Sequence, residues 1–303
     1  MEILYVFEQL RVPVLNELML LITRFGEETA FLVTALILFW CVDKQKGYFL
    51  MSVGFAGTIT TSFLKLVCRV PRPWVLDENF TILEQAREAA AGYSFPSGHS
   101  QTAVGTFGSL TCVAKKKWIK AAAVMIAVLV PISRMYVGVH TLWDVLAGTA
   151  ISLALMLMLW PVALKNGGKH MKYLIAVMLL LSVGFLLYTE LYSFPADMDP
   201  HNLASGIKNA YTLIGCLTGV AVVYVAERKY VNFTTEAIWW AQTLKAALGL
   251  ALVLLVKEGL RYPLEAVFAG HMAARSVRYF LIVLVAGLLW PMTFCWFSKL
   301  GET

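Results

Sequence analysis

The chain has 303 residues, of which 59% are hydrophobic and only 15% charged, with a mean hydropathy of +0.70 and a formal net charge of +6. That balance excludes a soluble globular protein and indicates an integral membrane protein. The positive charge does not indicate a nucleic-acid partner, because the basic residues sit in short loops between apolar runs, where they orient a membrane protein.

Residues 1–24 mix Glu8, Arg11, Asn16 and Glu17 with apolar residues at mostly helical spacing and carry Pro13, which predicts an amphipathic interfacial helix. The start is acidic and lacks a positive n-region, so no cleavable signal peptide is expected. Apolar runs follow at about residues 28–42, 47–66, 98–113, 118–133, 141–164, 173–190, 207–226, 244–260 and 277–298. Several approach the roughly 20 residues that a bilayer core requires. The expected fold is therefore all-α, a polytopic transmembrane bundle of about nine spans behind an N-terminal amphipathic helix. In the eighth run, Lys245 and Lys257 are expected to snorkel to opposite interfaces. Five scattered cysteines (Cys41, Cys68, Cys112, Cys216 and Cys295) show neither paired nor CxxC spacing and read as buried free thiols.

Basic clusters at Asp43–Lys46, Lys115–Lys120, Lys165–Lys172 and Glu227–Lys229 fall on alternate connections. The positive-inside rule makes that side cytoplasmic. The other connections then face outward, and three of them carry unusual residues. KLVCRVPRP places Lys65 and Arg72-Pro73 after the second run. YSFPSGHS leads from Tyr93 through Pro96-Ser97-Gly98-His99 into the third. SRMYVGVHTLWD, Ser133 to Asp144, joins the fourth and fifth.

Singly, each patch has an ordinary reading: a cation snorkelling at a span end, a helix start, a polar contact or a metal pair at His140 and Asp144. Together, Lys65, Arg72 and Arg134 bring cations to one face without matching acids, and they require an anion. Guanidinium forks match phosphoryl oxygens, and a helix beginning at Ser97-Gly98 adds backbone N–H groups and the positive end of its dipole. His140 and Asp144 are four residues apart, so the carboxylate can orient the imidazole and leave its other nitrogen nucleophilic. His99, from another helix, can then donate a proton to the leaving oxygen and later take one from water. A metal site competes poorly, because the surrounding cations oppose a divalent ion.

Lys65 with six residues before Arg72-Pro73, then Pro96-Ser97-Gly98-His99, then Ser133-Arg134 with five residues before His140 and three more before Asp144, resemble the three signature motifs of the type 2 phosphatidic acid phosphatase (PAP2) superfamily. The resemblance implies a helical membrane core and phosphate ester hydrolysis through a phosphohistidine, without metal or other cofactor. It implies His140 as nucleophile, Asp144 as its orienting group and His99 as acid and base, with Lys65, Arg72, Ser97, Gly98 and Arg134 binding phosphate. Pro73, Pro96 and Ser133 fall on the remaining signature positions. In members with a six-span core the first motif usually follows the third span, whereas here it follows the second clear one; residues 1–24, lying along the outer face, are expected to stand in for the missing helix. Residues 1–190 are then the catalytic membrane core, and residues 191–303 add transmembrane helices to the same domain.

The expected substrate is a lipid phosphate or diphosphate of the undecaprenyl diphosphate, phosphatidic acid or phosphatidylglycerophosphate type, reached among membrane lipids at the extracytoplasmic face of a prokaryotic inner membrane. A phosphotransferase with a non-water acceptor and a phospholipid or polyprenyl-phosphate carrier without catalysis are the alternatives. His170 and His201 read as solvated loop residues, and Trp40, Trp118, Trp239 and Trp240 as an aromatic belt. Trp74 and Trp143 border either the substrate entrance or that belt. Arg261, Glu265, Arg275 and Arg278 read as interfacial charge, with a headgroup pocket as the alternative.

Overall fold

The computed structural model describes residues 1–88 and 90–300, so the last three residues of the expected C-terminal segment lie outside the described residues. Among the described residues no strand forms, and the α-helices are α1 (Glu2–Gln9), α2 (Pro13–Thr23), α3 (Glu28–Ile37), α4 (Lys44–Cys68), α5 (Pro73–Leu76), α6 (Gly98–Val113), α7 (Lys117–Tyr136), α8 (Leu142–Leu164), α9 (Met171–Leu191), α10 (Pro200–Ala226), α11 (Trp239–Gly259), α12 (Arg261–Val267), α13 (Ala273–Leu284) and α14 (Phe294–Lys299). The chain is a multi-pass membrane protein: seven helical stretches are long and apolar enough to cross a bilayer, or eight if the pair Pro13–Gly26 and Glu28–Val42, bent by 54°, counts as one.

This count differs from nine for two reasons. The run at 28–42 passes the length and composition test only together with residues 13–26. The run at 98–113 forms a helix of only 16 residues, about 24 Å at 1.5 Å per residue, short of a bilayer core of about 30 Å. The N-terminal segment is likewise two helices rather than one. Val12 is extended and Pro13 occupies the first turn of α2, where its missing N–H has no consequence.

Two compact units form, the first from Met1–Leu32, Val53–Pro161 and Ser193–Gly206, the second from Val33–Ser52, Val162–Tyr192 and Ile207–Thr303. In the first, the inner face of the N-terminal arm packs on the end of α7 and the loop before α6. Leu4 joins Phe80, Met135 and Val145, and Phe7, Leu15 and Met19 cover Tyr136, Val137 and Val139. The opposite face of the arm is exposed and apolar, with Val6, Leu10, Val14 and Leu21 more than half exposed. Where the surroundings are as apolar as the side chains, association relies on close packing and on polar ties of about 0.6–2 kcal/mol each. Those ties are present. Arg11 Nε donates to Tyr136 O at 3.2 Å and Nη1 to Thr81 O at 2.9 Å. Tyr136 Oη donates to Asn16 Oδ1 at 2.8 Å, and Tyr5 Oη to Asp77 Oδ2 at 2.7 Å.

Within the second unit, Gly215 and Gly219 let α10 approach α13, since a Cβ at either would run into Ser276 or Val283. Lys44 pairs with buried Glu227 at 2.7 Å. Lys245 does not snorkel: it is fully buried, donating to Thr235 O at 3.3 Å over the Phe294 ring at 4.6 Å. Trp40 is no belt residue either, being fully buried with Nε1 donating to Ala286 O at 2.8 Å, whereas Trp118, Trp239 and Trp240 are exposed. All five cysteines are free, but only Cys216 is buried, contrary to the expectation for the other four. His170, His201 and His271 are exposed. Arg261 pairs with Glu265 at 3.5 Å on an exposed face, as interfacial charge does.

Gly148, one turn beyond Asp144 on α8, lies against the Ser97 carbonyl, and a Cβ there would collide with it. Gly148→Val therefore pushes α8 away from the start of α6. The melting temperature of the detergent-solubilised protein should fall by about 3 °C or more, the scale of an overpacked contact.

Candidate active site

The first cation-bearing segment is fixed by backbone carbonyls. Lys65, in the last turn of α4, donates from Nζ to Tyr93 O and, at 3.4 Å, to Ser94 O. Arg72 is buried. Its Nε donates to Gly92 O at 3.0 Å, its Nη2 to Ala91 O at 3.0 Å, and its Nη1 to Val139 O at 2.9 Å. Gly92 supplies the turn that aims these carbonyls inward, with φ of +74°, a conformation that strains any residue with a Cβ.

Arg72 Nη1 also lies 2.9 Å from His140 Nε2, closer than the 3.4 Å to Nδ1. A guanidinium can only donate, and it stands within reach of both ring nitrogens; the carboxylate facing Nδ1 favours the tautomer with the proton there and the lone pair on Nε2. Nδ1 in turn faces Asp144 Oδ2 at 3.5 Å, an electrostatic contact longer than a good hydrogen bond. The same carboxylate oxygen accepts from Ser94 Oγ at 2.6 Å and from the Thr141 backbone N–H at 2.7 Å. Ser94 Oγ is itself 3.5 Å from His140 Nδ1. Ser94 thus lies within reach of both the carboxylate and the ring.

His140 lies in the loop between α7 and α8 and is almost completely buried. Burial first, then the charges of Arg72, Lys65 and Arg134, and finally His99, hold its imidazole well below the ordinary value of 6.5. The neutral ring required of a nitrogen nucleophile is therefore the stable form. Arg72 of the first motif and Asp144 of the third both stand within 3.5 Å of this one ring.

Ser97 caps α6, its Oγ accepting from Ser100 N at 3.3 Å, while its own N–H donates to Asp144 O at 2.9 Å. The first N–H groups of the helix, beginning at Gly98, have no intrahelical acceptor. The position a Cβ would take at Gly98 is open, with no atom within 4 Å. His99 follows, with Nε2 enclosed and unpartnered. Arg134, fully buried, donates from Nη1 to Thr23 Oγ1 at 2.7 Å, while its Nε and Nη2 have no partner. Among the described residues, no carboxylate comes within 4.0 Å of Lys65, Arg72 or Arg134.

The remaining motif positions are architectural. Pro73 starts α5, Pro96 precedes the cap in a cis peptide, and Ser133 Oγ donates back to Val130 O at 2.7 Å within its own helix. Trp74 lies between two cations, 5.8 Å from Arg72 and 5.1 Å from Arg87, whereas Trp143 is 74% exposed. Sequence reasoning missed Ser94, Thr141 and Thr23. Ser94 stands two residues before Pro96, a neighbourhood that could have drawn attention to it; Thr23 carries no signal.

The arrangement can bind a tetrahedral anion, present a neutral imidazole nitrogen to it, and hold a second imidazole nearby. Residues 45–167 match the PAP2 superfamily model, and residues 211–302 match the one described as PAP2 superfamily phosphatase, transmembrane extension. An undecaprenyl-diphosphatase of Sulfolobus acidocaldarius is 32% identical over 139 residues, 46% of this chain and 66% of that protein. Phosphatidylglycerophosphatase B of Bacillus subtilis is 31% identical over 158 residues, 48% of this chain and 74% of its own, and undecaprenyl-diphosphatase BcrC of the same organism is 28% identical over 142 residues, 46% and 70%. No solved structure matches the chain. With all three motifs inside the segment that matches the PAP2 superfamily model and a relative 31% identical over 74% of its own length, the chain belongs to the PAP2 superfamily of membrane phosphatases.

Proposed function

We propose that the chain hydrolyses a lipid phosphate or diphosphate of the undecaprenyl diphosphate, phosphatidic acid or phosphatidylglycerophosphate type, through a phosphohistidine on His140 and without a metal. The observation that carries this reading is the group of cations in the His140 cluster, Arg72 and Arg134 buried and Lys65 part-buried, none of them with a carboxylate within 4.0 Å among the described residues. The names of the relatives support a lipid substrate.

The phosphoryl oxygens sit on the Arg134 Nε–Nη2 edge, on Lys65, and on the N–H groups at Gly98 and His99, and draw Arg72 Nη1 away from Nε2. Nε2 then attacks phosphorus in line with the ester oxygen. The N–P bond forms as the P–O bond breaks, and His99, made an imidazolium once the phosphate anion lies beside it, gives that proton to the leaving oxygen, which departs as the lipid alcohol. A diphosphate releases the lipid monophosphate instead. The imidazolium is stabilised by Asp144, whose position Ser94 and Thr141 fix. Water, deprotonated by His99, attacks the phosphohistidine, the N–P bond breaks and inorganic phosphate leaves. The cations supply the charge neutralisation that a metal provides elsewhere.

The same reading places the site on the extracytoplasmic face of a prokaryotic inner membrane, opposite the basic loops. Because α6 is shorter than a bilayer core, its phosphate-binding N-terminus lies below the surface, at a depth an anchored headgroup reaches. Residues 1–190 hold the catalytic core, and residues 191–303 complete the membrane domain.

Two outcomes follow. Purified protein given phosphatidic acid labelled with radioactive phosphorus should show an acid-labile label on His140, and His140→Ala should abolish the label and slow phosphate release by about a thousandfold or more. Unlabelled wild type, or a variant as fast as wild type, would refute the mechanism. Ser94→Ala should lower kcat about tenfold, the worth of one hydrogen bond to a charged group, with KM nearly unchanged. An unaltered kcat would remove Ser94 from the orienting network.

A further inference from the structure

The family model that carries the motifs begins at residue 45, yet part of the phosphate site is held by residues before it. Arg134 projects from α7, which packs against α2. Its guanidinium meets Thr23 Oγ1 at 2.7 Å through Nη1. Thr23 is 5% exposed and Arg134 fully buried, so water does not compete for this contact. Among the described residues the Nε and Nη2 of Arg134 are buried without a partner. Those two nitrogens form the side-on edge of the guanidinium fork, which fits two oxygens of one phosphoryl group.

A guanidinium is planar, and holding Nη1 fixes the direction in which the opposite edge points. Arg72 and Lys65 are already committed to carbonyls of residues 91–94 and 139. Arg134 is therefore the cation with the most donor capacity left for an anion. The arm also meets the second histidine: a Cβ on Gly26 would come within 3.0 Å of His99 Cβ and O. The arm is tied down independently by Arg11 to Tyr136 and Thr81.

From this geometry we infer that Thr23 is a positioning residue for phosphate binding, its hydroxyl accepting from Arg134 Nη1 so that the Nε–Nη2 edge faces the anion. The inference rests on the proposed phosphatase reading of the site and adds to it a residue from outside the motifs. Replacing the hydroxyl by a methyl leaves a third buried guanidinium nitrogen without a partner and frees the plane to rotate.

Full-length Thr23→Val and Thr23→Ser in detergent micelles are titrated calorimetrically with inorganic phosphate and assayed on phosphatidic acid in mixed micelles. Thr23→Val should weaken phosphate binding about tenfold and raise KM by a similar factor, the scale of one hydrogen bond to a charged group, while kcat changes less. Thr23→Ser, which keeps the oxygen, should stay within about twofold of wild type in both. Should Thr23→Val not fold, as judged by thermal unfolding, Thr23→Ala carries the same expectation. Wild-type phosphate affinity in the folded variant lacking the hydroxyl, or a serine variant as weak as the valine one, would overturn the inference. His140→Ala separates the two levels: if it still releases phosphate from the lipid at the wild-type rate, the proposed phosphohistidine mechanism itself falls. If it is inactive while Thr23→Val binds phosphate as wild type does, only the role of Thr23 falls.

Discussion

Three cations beside one imidazole, Arg72 and Arg134 buried and Lys65 part-buried, with no carboxylate within 4.0 Å of any of them among the described residues, set the terms for the rest of the first unit. Two like charges about 6 Å apart repel by roughly 3 kcal/mol at an effective dielectric of about 20. Lys65, Arg72 and Arg134 are therefore held in place by something other than acids. For Lys65 and Arg72 that something is a wrapped backbone, the carbonyls at Ala91, Gly92, Tyr93, Ser94 and Val139, and for Arg134 it is a threonine hydroxyl. Carbonyl oxygens neutralise part of the charge and leave the rest to attract an anion. The carboxylate in the cluster, Asp144, is directed at Ser94, Thr141 and His140 instead.

That division explains why loops, rather than helices, carry so much of the site. The described residues from Arg69 to Phe95 have little regular structure beyond α5 and one 3-10 turn, which frees their carbonyls to serve as acceptors for the cations. The tight Ser133–Asp144 corner brings an arginine, a histidine and an aspartate into one place, while the cap at Ser97 links the α6 start to α8 through the Asp144 carbonyl. Burial first, and then the same positive field that would attract an anion, hold the His140 imidazole in its neutral form.

The site was more legible in the sequence than the membrane architecture. Lys65, Arg72, His99, Arg134, His140 and Asp144 are costly residues in apolar surroundings, so their presence at fixed spacing already called for a common purpose. Span counting rests only on local hydropathy, which cannot know that α6 begins at the Ser97 cap and ends after 16 residues, or that residues 13–26 and 28–42 meet at a bend. The fates of Lys245 and Trp40 were hidden for the same reason: burial among Phe294 and Ala286 is decided by partners far along the chain. Thr23 and Ser94 are ordinary residues by composition. Their importance lies wholly in what stands 2.6 or 2.7 Å away.

The most direct test of this account is an experimental structure of the full-length protein with orthovanadate bound. The account predicts a single vanadate bonded to His140 Nε2, with equatorial oxygens on the Arg134 Nε–Nη2 edge and on the N–H groups at the start of α6, and with His99 at the apical oxygen. Vanadate bound elsewhere, or His140 and His99 on opposite sides of an empty cluster at saturating vanadate, would contradict it.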